Sequence, residues 1–270
     1  MSAVQPGWRS WPLVRHLRAI WLRRLAPLAG GRMPRGTVIV RYYWARFLER
    51  HRGDIRGRGL EIGETTTLRQ YGGAAITSAE ALDLAPHHDA VTVVADLTSA
   101  DHVAADQYDC FVIPFTMTVI YDVESALYHA VRILRPGGVL LVNFACVDYY
   151  LYRGLDMGTG APLYMYWWFT PLQVEELLHR CGLGPADYQL DIQGNLFSRI
   201  AFQLNLPIED LSHAERDTVD PGHPLLISAR IVKPAGWAGA RPTPRQPQVR
   251  PGLHPARLDP DAGHYGDAYR

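Results

Sequence analysis

Hydrophobic and polar residues along the chain follow two repeating patterns. Short runs rich in Val, Ile and Leu predict buried strands, and stretches with the three-to-four-residue spacing of amphipathic helices separate them. The predicted strands are residues 59–62, 75–84, 92–94, 110–113, 139–144, 188–191 and 225–232. The predicted helices are residues 40–51, 122–134 and 171–181, with 194–204 open between helix and strand. Because strands that alternate with helices indicate crossover connections, we expect an α/β domain with a parallel sheet.

Composition divides the chain into three zones. Residues 1–35 hold apolar side chains at helical spacing with arginines between them, which predicts a basic amphipathic helix. Such a helix suits an anionic membrane surface or, as we favour, packing on the main domain or on a second subunit. Residues 36–233 form the predicted folded domain. Residues 234–270 are crowded with Pro and Gly and have few apolar side chains, so we expect a disordered tail.

The overall composition narrows the class of protein. The 270 residues include 27 acids and 27 bases, so net charge gives no reason to expect a nucleic-acid partner. The sequence has no run of 18 apolar residues and no signal-peptide pattern, so we expect no stable membrane insertion. Cys110, Cys146 and Cys181 are an odd number without paired spacing. This predicts free thiols in a reducing compartment, the cytoplasm.

The candidate chemistry starts at the first predicted strand. Gly63 follows that strand directly, and a glycine lets the chain turn tightly beside a ligand. Asp83 comes about twenty residues later, at the spacing of a carboxylate that binds ribose hydroxyls. Glu80 is an alternative, because the end of the second strand is uncertain by a few residues. Taken alone, Gly63 is equally consistent with a plain turn and Asp83 with a solvated loop.

The order of the downstream motifs strengthens this interpretation. Asp96 follows the third predicted strand, Tyr108-Asp-Cys110 opens the fourth, and Arg135-Pro-Gly-Gly138 forms a turn into the fifth. With these motifs, residues 36–233 resemble the class I S-adenosylmethionine-dependent methyltransferases, specifically the methyltransferase type 11 group. The resemblance implies a Rossmann-like, seven-stranded, doubly wound sheet, mostly parallel with an antiparallel edge strand. It also implies S-adenosylmethionine as the cofactor.

A closer subset of this group shares two further motifs with the chain. They are Gly36-Thr-Val-Ile-Val-Arg-Tyr-Tyr43, ahead of the first strand, and Tyr166-Trp-Trp-Phe-Thr-Pro171. The resemblance implies that the cofactor contacts residues at the ends of the first four strands. These are Glu61, Gly63, Glu64, Asp83, Asp96, Leu97, Phe115 and Thr116. Asp83 would hold the ribose hydroxyls, and Phe115 and Thr116 would lie near the sulfonium.

The acceptor side requires a different set of residues. An oxygen acceptor needs a general base, and Tyr42, Tyr43 and Asp148 are the catalytic candidates, each weighed against a packing or loop role. His129 is more consistent with packing, and we expect no metal, because the pair at 87–88 has no third ligand at matching spacing. We expect an aromatic lid over a small-molecule acceptor, with a dimer interface or ordinary core as the alternative. Its members are Tyr149, Tyr166, Trp167 and Trp168.

The sequence departs from its relatives mainly at this side. The usual glycine-rich loop after the first strand is nearly absent, and apolar Val40, Pro114, Phe115 and Trp168 replace residues that tend to be polar in related sequences. We therefore expect O-methylation of a small acceptor in natural-product or glycan biosynthesis. One alternative is an enzyme that binds the cofactor but catalyses a cyclisation or rearrangement, and another is a binding partner without activity. A homodimer remains open.

Overall fold

The computed structural model of the protein contains a central seven-stranded sheet. The structure describes residues 36–86, 88–148 and 164–247. The strands are β1 (Gly57–Ile62), β2 (Ile76–Asp83), β3 (Val91–Val94), β4 (Tyr108–Ile113), β5 (Leu134–Ala145), β6 (Tyr188–Gln193) and β7 (Leu226–Val232). Each one covers a predicted strand. The largest difference is at β5, which starts before the expected turn at 135–138, because the chain around this turn pairs irregularly with β4.

The strand order is β3-β2-β1-β4-β5-β7-β6. Neighbouring strands from β3 to β5 pair in parallel, whereas β7 is antiparallel to both β5 and β6. The mostly parallel, seven-stranded Rossmann-like sheet is therefore confirmed, with its antiparallel strand one place inside the edge. The order reverses between β1 and β4, since β2 and β3 extend the sheet to one side and β4 and β5 to the other. Open α/β sheets bind their ligands at such a switch point.

Five α-helices surround the sheet in the described part of the chain, and local chemistry sets their ends. The helices are α1 (Ile39–Arg50), α2 (Val123–Ile133), α3 (Pro171–Arg180), α4 (Leu196–Gln203) and α5 (His213–Asp217). The side chains of Asp122 and Thr170 accept N–H groups in the first turns of α2 and α3. Gly182, just beyond α3, has φ +77°, the left-handed conformation that ends many helices. The segment left open between helix and strand is α4.

The two faces of the sheet carry separate cores. Alternate residues of β5 show the division: Val142 and Phe144 join the core under α2 and α3, while Leu141 joins the core under α1 and α4. Both cores are made of fully buried apolar side chains. The helices therefore cover both faces of the sheet, and the carboxyl ends of the parallel strands lie together at one edge.

The start of the predicted tail contacts the folded domain. Trp237 donates its indole N–H to the Cys181 carbonyl at 2.8 Å, and its ring lies 5.5 Å from that of Tyr128. The backbone N–H of Arg245 donates to Asp122 at 2.8 Å. Residues 234–247 thus contact α2 and the end of α3, and the predicted disorder of the tail stays a prediction. Residues 248–270 lie outside the described residues.

The predicted amphipathic helix at 1–35 also lies outside the described residues, as do 87 and 149–163. Within the ranges that are described, no helix combines the length and the apolar content needed to cross a lipid bilayer.

Lys233 is a buried cation at the start of this packed segment. Its side chain is 6% exposed, and Nζ donates to Asp106 Oδ1 at 2.7 Å and to the carbonyls of Arg132 and Leu134 at 2.9 and 2.8 Å. We expect Lys233→Met to lower the free energy of unfolding by roughly 2 to 4 kcal/mol, because both carbonyls lose their donor. Urea denaturation measures this. Arg241→Met, which removes an exposed ion pair with Asp101, is the control and should change stability by at most about 1 kcal/mol. Equal losses in the two variants would contradict this role for Lys233.

Candidate active site

The carboxyl ends of β1 to β4 bring several predicted residues to one edge of the sheet. Gly63 follows β1 directly, and its N–H donates to the Leu82 carbonyl on β2 at 2.9 Å. Gly63 has φ +82°, a conformation that residues with a side chain rarely adopt. A Cβ placed there would lie 3.8 Å from Asp83 Oδ2, which is the only contact within 4 Å found among the described residues. The glycine thus leaves open space directly beside a carboxylate.

Asp83 ends β2, and the next loop holds it in place. Its Oδ1 accepts the N–H of Leu84 at 2.6 Å, and its carbonyl accepts the N–H of Ala95 at 2.9 Å. His88 reaches back from this loop, with Nε2 2.7 Å from the Gly63 carbonyl and Nδ1 accepting the Ala90 N–H at 3.2 Å. Because Nδ1 is an acceptor, Nε2 carries the proton and donates to Gly63. The loop after β2 is therefore fastened to the end of β1.

Glu61 is buried, and its carboxylate binds the backbone of the loop that follows Gly63. It is 1% exposed, and its two carboxylate oxygens accept the N–H groups of Thr67 and Leu68 at 3.2 and 3.1 Å. Burial raises the pKa of Glu61 to about 7, although these hydrogen bonds act in the opposite direction. Glu61 therefore positions the loop that follows Gly63. Glu64 is exposed on that loop and accepts the Thr66 hydroxyl at 2.8 Å.

The alternative ribose acid, Glu80, is engaged elsewhere. Both of its oxygens accept from the Arg58 guanidinium, at 2.6 and 3.2 Å, and the Tyr108 hydroxyl donates to it at 3.0 Å. The hydrogen bonds from Arg58 lower the pKa of Glu80. This cluster lies inside β2 rather than at its carboxyl end, so Asp83 is the better placed of the two acids.

The end of β3 contributes a polar residue and an apolar one. Asp96 is exposed, and its Oδ1 accepts both the backbone N–H and the hydroxyl of Thr98 at 2.8 Å. Leu97 beside it is 4% exposed and belongs to the core under α2 and α3. The end of β3 therefore carries an exposed carboxylate beside a buried leucine.

The loop after β4 contains a strained residue. Phe115 has φ +48°, which is costly for a bulky side chain, and its N–H donates to Asn143 Oδ1 on β5 at 2.9 Å. Asn143 is 1% exposed, and its Nδ2 has no hydrogen-bond partner in the part of the chain that is described. The Thr116 hydroxyl donates to the Pro114 carbonyl at 2.7 Å. Phe115 and Thr116 thus lie at the switch point, across from Gly63.

The predicted catalytic tyrosines contact α5. Tyr43 is 4% exposed and donates its hydroxyl to the Arg216 carbonyl at 2.8 Å, and burial raises its pKa above the ordinary value. The Tyr42 hydroxyl lies 3.4 Å from Asp217 and 3.3 Å from Arg46. These contacts favour the packing alternative for both tyrosines. Because burial raises the pKa of Tyr43, its phenol keeps the proton that a general base would first have to lose. His129 is also a packing residue, 1% exposed within α2.

Three of the predicted lid residues lie at the same edge of the sheet: Tyr166, Trp167 and Trp168. The backbone N–H groups of Tyr166 and Trp167 donate to the Thr118 carbonyl at 2.8 and 3.3 Å, and the Trp167 indole donates to the Tyr121 carbonyl at 3.0 Å. Trp168 is 47% exposed. This segment is therefore fastened to the loop after β4. Asp148 is half-buried beyond the end of β5, and Tyr149 lies outside the described residues.

Sequence reasoning missed several residues at this edge. Arg41 lies within the motif at residues 36–43, but the sequence predicts no role for it. Its guanidinium carbon is 5.5 Å from the Phe115 ring centroid. Asn143 was hidden in an apolar strand, where a polar residue among Leu, Val and Phe was the available sign. The sequence favours a solvated loop over a metal site at His88 and does not indicate its contact with the Gly63 carbonyl. In the described ranges, no three His, Cys, Asp or Glu side chains cluster in a way that could hold a metal ion.

No family model and no curated protein matches the chain. Solved structures with a likeness to it include an S-adenosylmethionine-dependent methyltransferase from Mesorhizobium loti, 14% identical, covering 72% of this chain and 97% of that chain with a TM-score of 0.47. Another is phosphoethanolamine N-methyltransferase 2 of Haemonchus contortus, with phosphomonomethylethanolamine and S-adenosylhomocysteine bound. It is 17% identical and covers 72% of this chain and 53% of that chain with a TM-score of 0.47.

Glu61 gives stability a specific pH dependence. The folded state holds the Glu61 proton up to about pH 7, whereas the unfolded chain releases it near the ordinary value of 4.5. Between these values the folded state binds more protons, so stability falls as pH rises, in total by up to about 3 kcal/mol. We expect Glu61→Gln to remove this slope in urea denaturation from pH 4.5 to 7.5. Glu64→Gln, on the exposed neighbour, should keep it. A slope that persists in Glu61→Gln would contradict the assignment.

Proposed function

We propose that the chain is an S-adenosylmethionine-dependent methyltransferase that acts on a small-molecule acceptor. The observation that carries the proposal is the meeting of Gly63 and Asp83 at the switch point of the sheet, with open space beside the glycine. A carboxylate at the end of β2 is the group that binds ribose hydroxyls in sheets of this type. The motifs shared with class I methyltransferases support the same conclusion.

The residues present fit this cofactor chemically. S-adenosylmethionine has no phosphate, so a glycine-rich phosphate loop is not needed, and the single left-handed Gly63 is enough for a close backbone approach. Asp83 would accept the ribose hydroxyls, while Asp96 and Leu97 would contact the adenine amino group and ring. Glu64 would contact the cofactor from the loop after β1. Glu61 would act as a positioning residue through the N–H groups it accepts.

The chemistry divides between the cofactor and the chain. When bound, S-adenosylmethionine supplies a methyl group on a sulfonium, whose positive charge is lost on transfer. The chain would orient the reactants and exclude water. Phe115 and Thr116 would border the transferred group, and Tyr166, Trp167 and Trp168 would cover the acceptor. Tyr149, also predicted as a lid residue, lies outside the described residues. Positioning in a dry site can supply most of the catalysis for such a displacement.

The finer part of the proposal is O-methylation in natural-product or glycan biosynthesis. Asp148, which follows the end of β5, is our favoured general base, because Tyr42 and Tyr43 are engaged with α5. The apolar side chains around Phe115 favour a hydrophobic acceptor. Two further expectations from the sequence, the cytoplasmic location and a homodimer, remain predictions.

Binding of the cofactor tests the proposal directly. Isothermal calorimetry with S-adenosylmethionine and S-adenosylhomocysteine should show one site per chain. Asp83→Ala should weaken both affinities by about tenfold to a hundredfold, the scale of hydrogen bonds to a charged group. Glu80→Gln, on the same strand, should lower stability through the loss of its bond to Arg58 and leave affinity unchanged. Absence of binding to the wild-type chain would refute the proposal. If Glu80→Gln rather than Asp83→Ala loses affinity, the ribose acid is misassigned.

Product analysis then separates methyl transfer from other chemistry. Candidate acceptors are incubated with the cofactor and examined by mass spectrometry for a gain of about 14 mass units alongside release of S-adenosylhomocysteine. A product of changed structure without that gain would favour the alternative, a cyclisation or rearrangement on the same scaffold.

A further inference from the structure

Two helices begin at the edge of the sheet that holds the candidate site. Because α1 leads into β1, its first turn lies at the carboxyl end of that strand, and α4 begins between the end of β6 and the start of the antiparallel β7. Arg41 is the third residue of α1, and Arg199 is the fourth residue of α4. The topology therefore brings two guanidinium groups to one side of the switch point.

Both arginines are placed against the helix dipole. The amino end of a helix carries partial positive charge, so acidic side chains are favoured there and basic ones are unfavourable. Neither α1 nor α4 has an acid in its first turn, and α1 starts after Val38 without a side-chain cap. A cation at such a position is unfavourable by itself, but two of them together attract an anion.

Neither guanidinium has a carboxylate partner among the residues that the structure describes, whereas Arg46, Arg50 and Arg230 each bind an aspartate. Arg199 is half-buried, where an unpaired charge is costly. The start of α4, which contains Arg199, lies near the end of β5, because the Cys146 N–H donates to the Leu225 carbonyl at 3.1 Å and the Leu225 N–H donates to the carbonyl at the end of β6 at 2.8 Å. Arg41 covers Phe115 at the end of β4.

An independent observation at the same place also indicates a ligand. Asn143 is 1% exposed, and its Oδ1 accepts the Phe115 N–H, so its amide lies directly behind the residue that Arg41 covers. Its Nδ2 has no partner within the described part of the chain. A buried N–H without an acceptor costs about 1 to 3 kcal/mol, and a ligand oxygen would remove this penalty.

We infer that Arg41 and Arg199 hold an anionic oxygen group, a carboxylate or a phosphate, on the acceptor of the proposed methyl transfer. The body of this acceptor is apolar, since partly buried Val40, Val147 and Phe202 belong with Phe115 to the core beside these arginines. The site is on the β4 and β5 side of the switch point, whereas the ribose acid Asp83 ends β2 on the other side. The inference thus rests on the proposed function and names its substrate class.

Three probes with one aromatic body test the inference. The full chain, saturated with S-adenosylhomocysteine, is titrated with phenylacetate, phenyl phosphate and the neutral 2-phenylethanol. The Trp44 indole N–H resonance reports binding, because its ring lies 6.3 Å from that of Phe115. We expect at least one anion to bind about tenfold or more tightly than the alcohol. The comparison of phenylacetate with phenyl phosphate identifies the anion.

The variants Arg41→Met and Arg199→Met should each reduce this preference about tenfold and leave the affinity for S-adenosylhomocysteine unchanged. Arg56→Met is the matched control, since Arg56 is an exposed arginine at the opposite edge, just before β1. Arg199→Gln replaces Arg199→Met if the latter does not fold.

Three results would overturn the inference: equal affinities for anion and alcohol, an equal loss in Arg56→Met, or a loss of S-adenosylhomocysteine binding in Arg41→Met while the anion preference persists. The last result would assign Arg41 to the cofactor. Failure of S-adenosylhomocysteine to bind the wild-type chain would instead refute the proposed function, and the probes can still be titrated without it.

Discussion

The reversal of strand order between β1 and β4 is the constraint on which the site depends. Connections leave β1 and β4 in opposite directions, so the loops after these strands separate and form a crevice. Gly63 stands on one wall and Phe115 on the other, and both have positive φ. Glycine adopts this conformation at little cost, whereas for Phe115 it costs roughly 1 to 2 kcal/mol. The first wall is therefore open because Gly63 has no side chain. The second wall is strained at Phe115, whose backbone N–H is held by Asn143.

Charge is distributed unevenly along this edge. The acids Asp83 and Asp96 lie at the ends of β2 and β3, while the cations Arg41 and Arg199 lie near the ends of β4 and β5, where Asp148 is the acid proposed as general base. Carboxylates suit hydroxyl and amino donors, and guanidinium groups suit anionic oxygens. Since opposite charges separated along one edge attract different chemical groups, the edge is suited to two ligands of different character. This separation is what a transfer between a cofactor and an acceptor requires.

Local patterns were enough to predict most of the fold. The seven strands and the helices α1, α2 and α3 have their own periods and end markers, such as Gly182 after α3, so the sequence predicts them. The sequence left α4 open between helix and strand and did not predict the short α5. The sequence also placed Gly63 and Asp83 correctly at neighbouring strand ends. It could not reveal that Glu80 is bound by Arg58 or that Tyr43 contacts α5, because these partners are far apart along the chain. The packing of Trp237 against Cys181 is missed for the same reason, since composition does not describe single contacts.

Two unfavourable features coincide at the end of β4: the strained Phe115 and the unpartnered amide nitrogen of Asn143. Among the described residues, the other buried side-chain nitrogen without a hydrogen bond is Arg216 Nε, whereas the buried Lys233 ammonium has three oxygen partners. A small or apolar residue at 143 would remove the unpartnered nitrogen, but the Phe115 N–H would then lose the acceptor that holds this loop. Strain of this kind persists where surrounding structure enforces it, and it concentrates at sites of ligand binding. The rest of the core is packed for stability, so the place where it is not is best explained by what binds there.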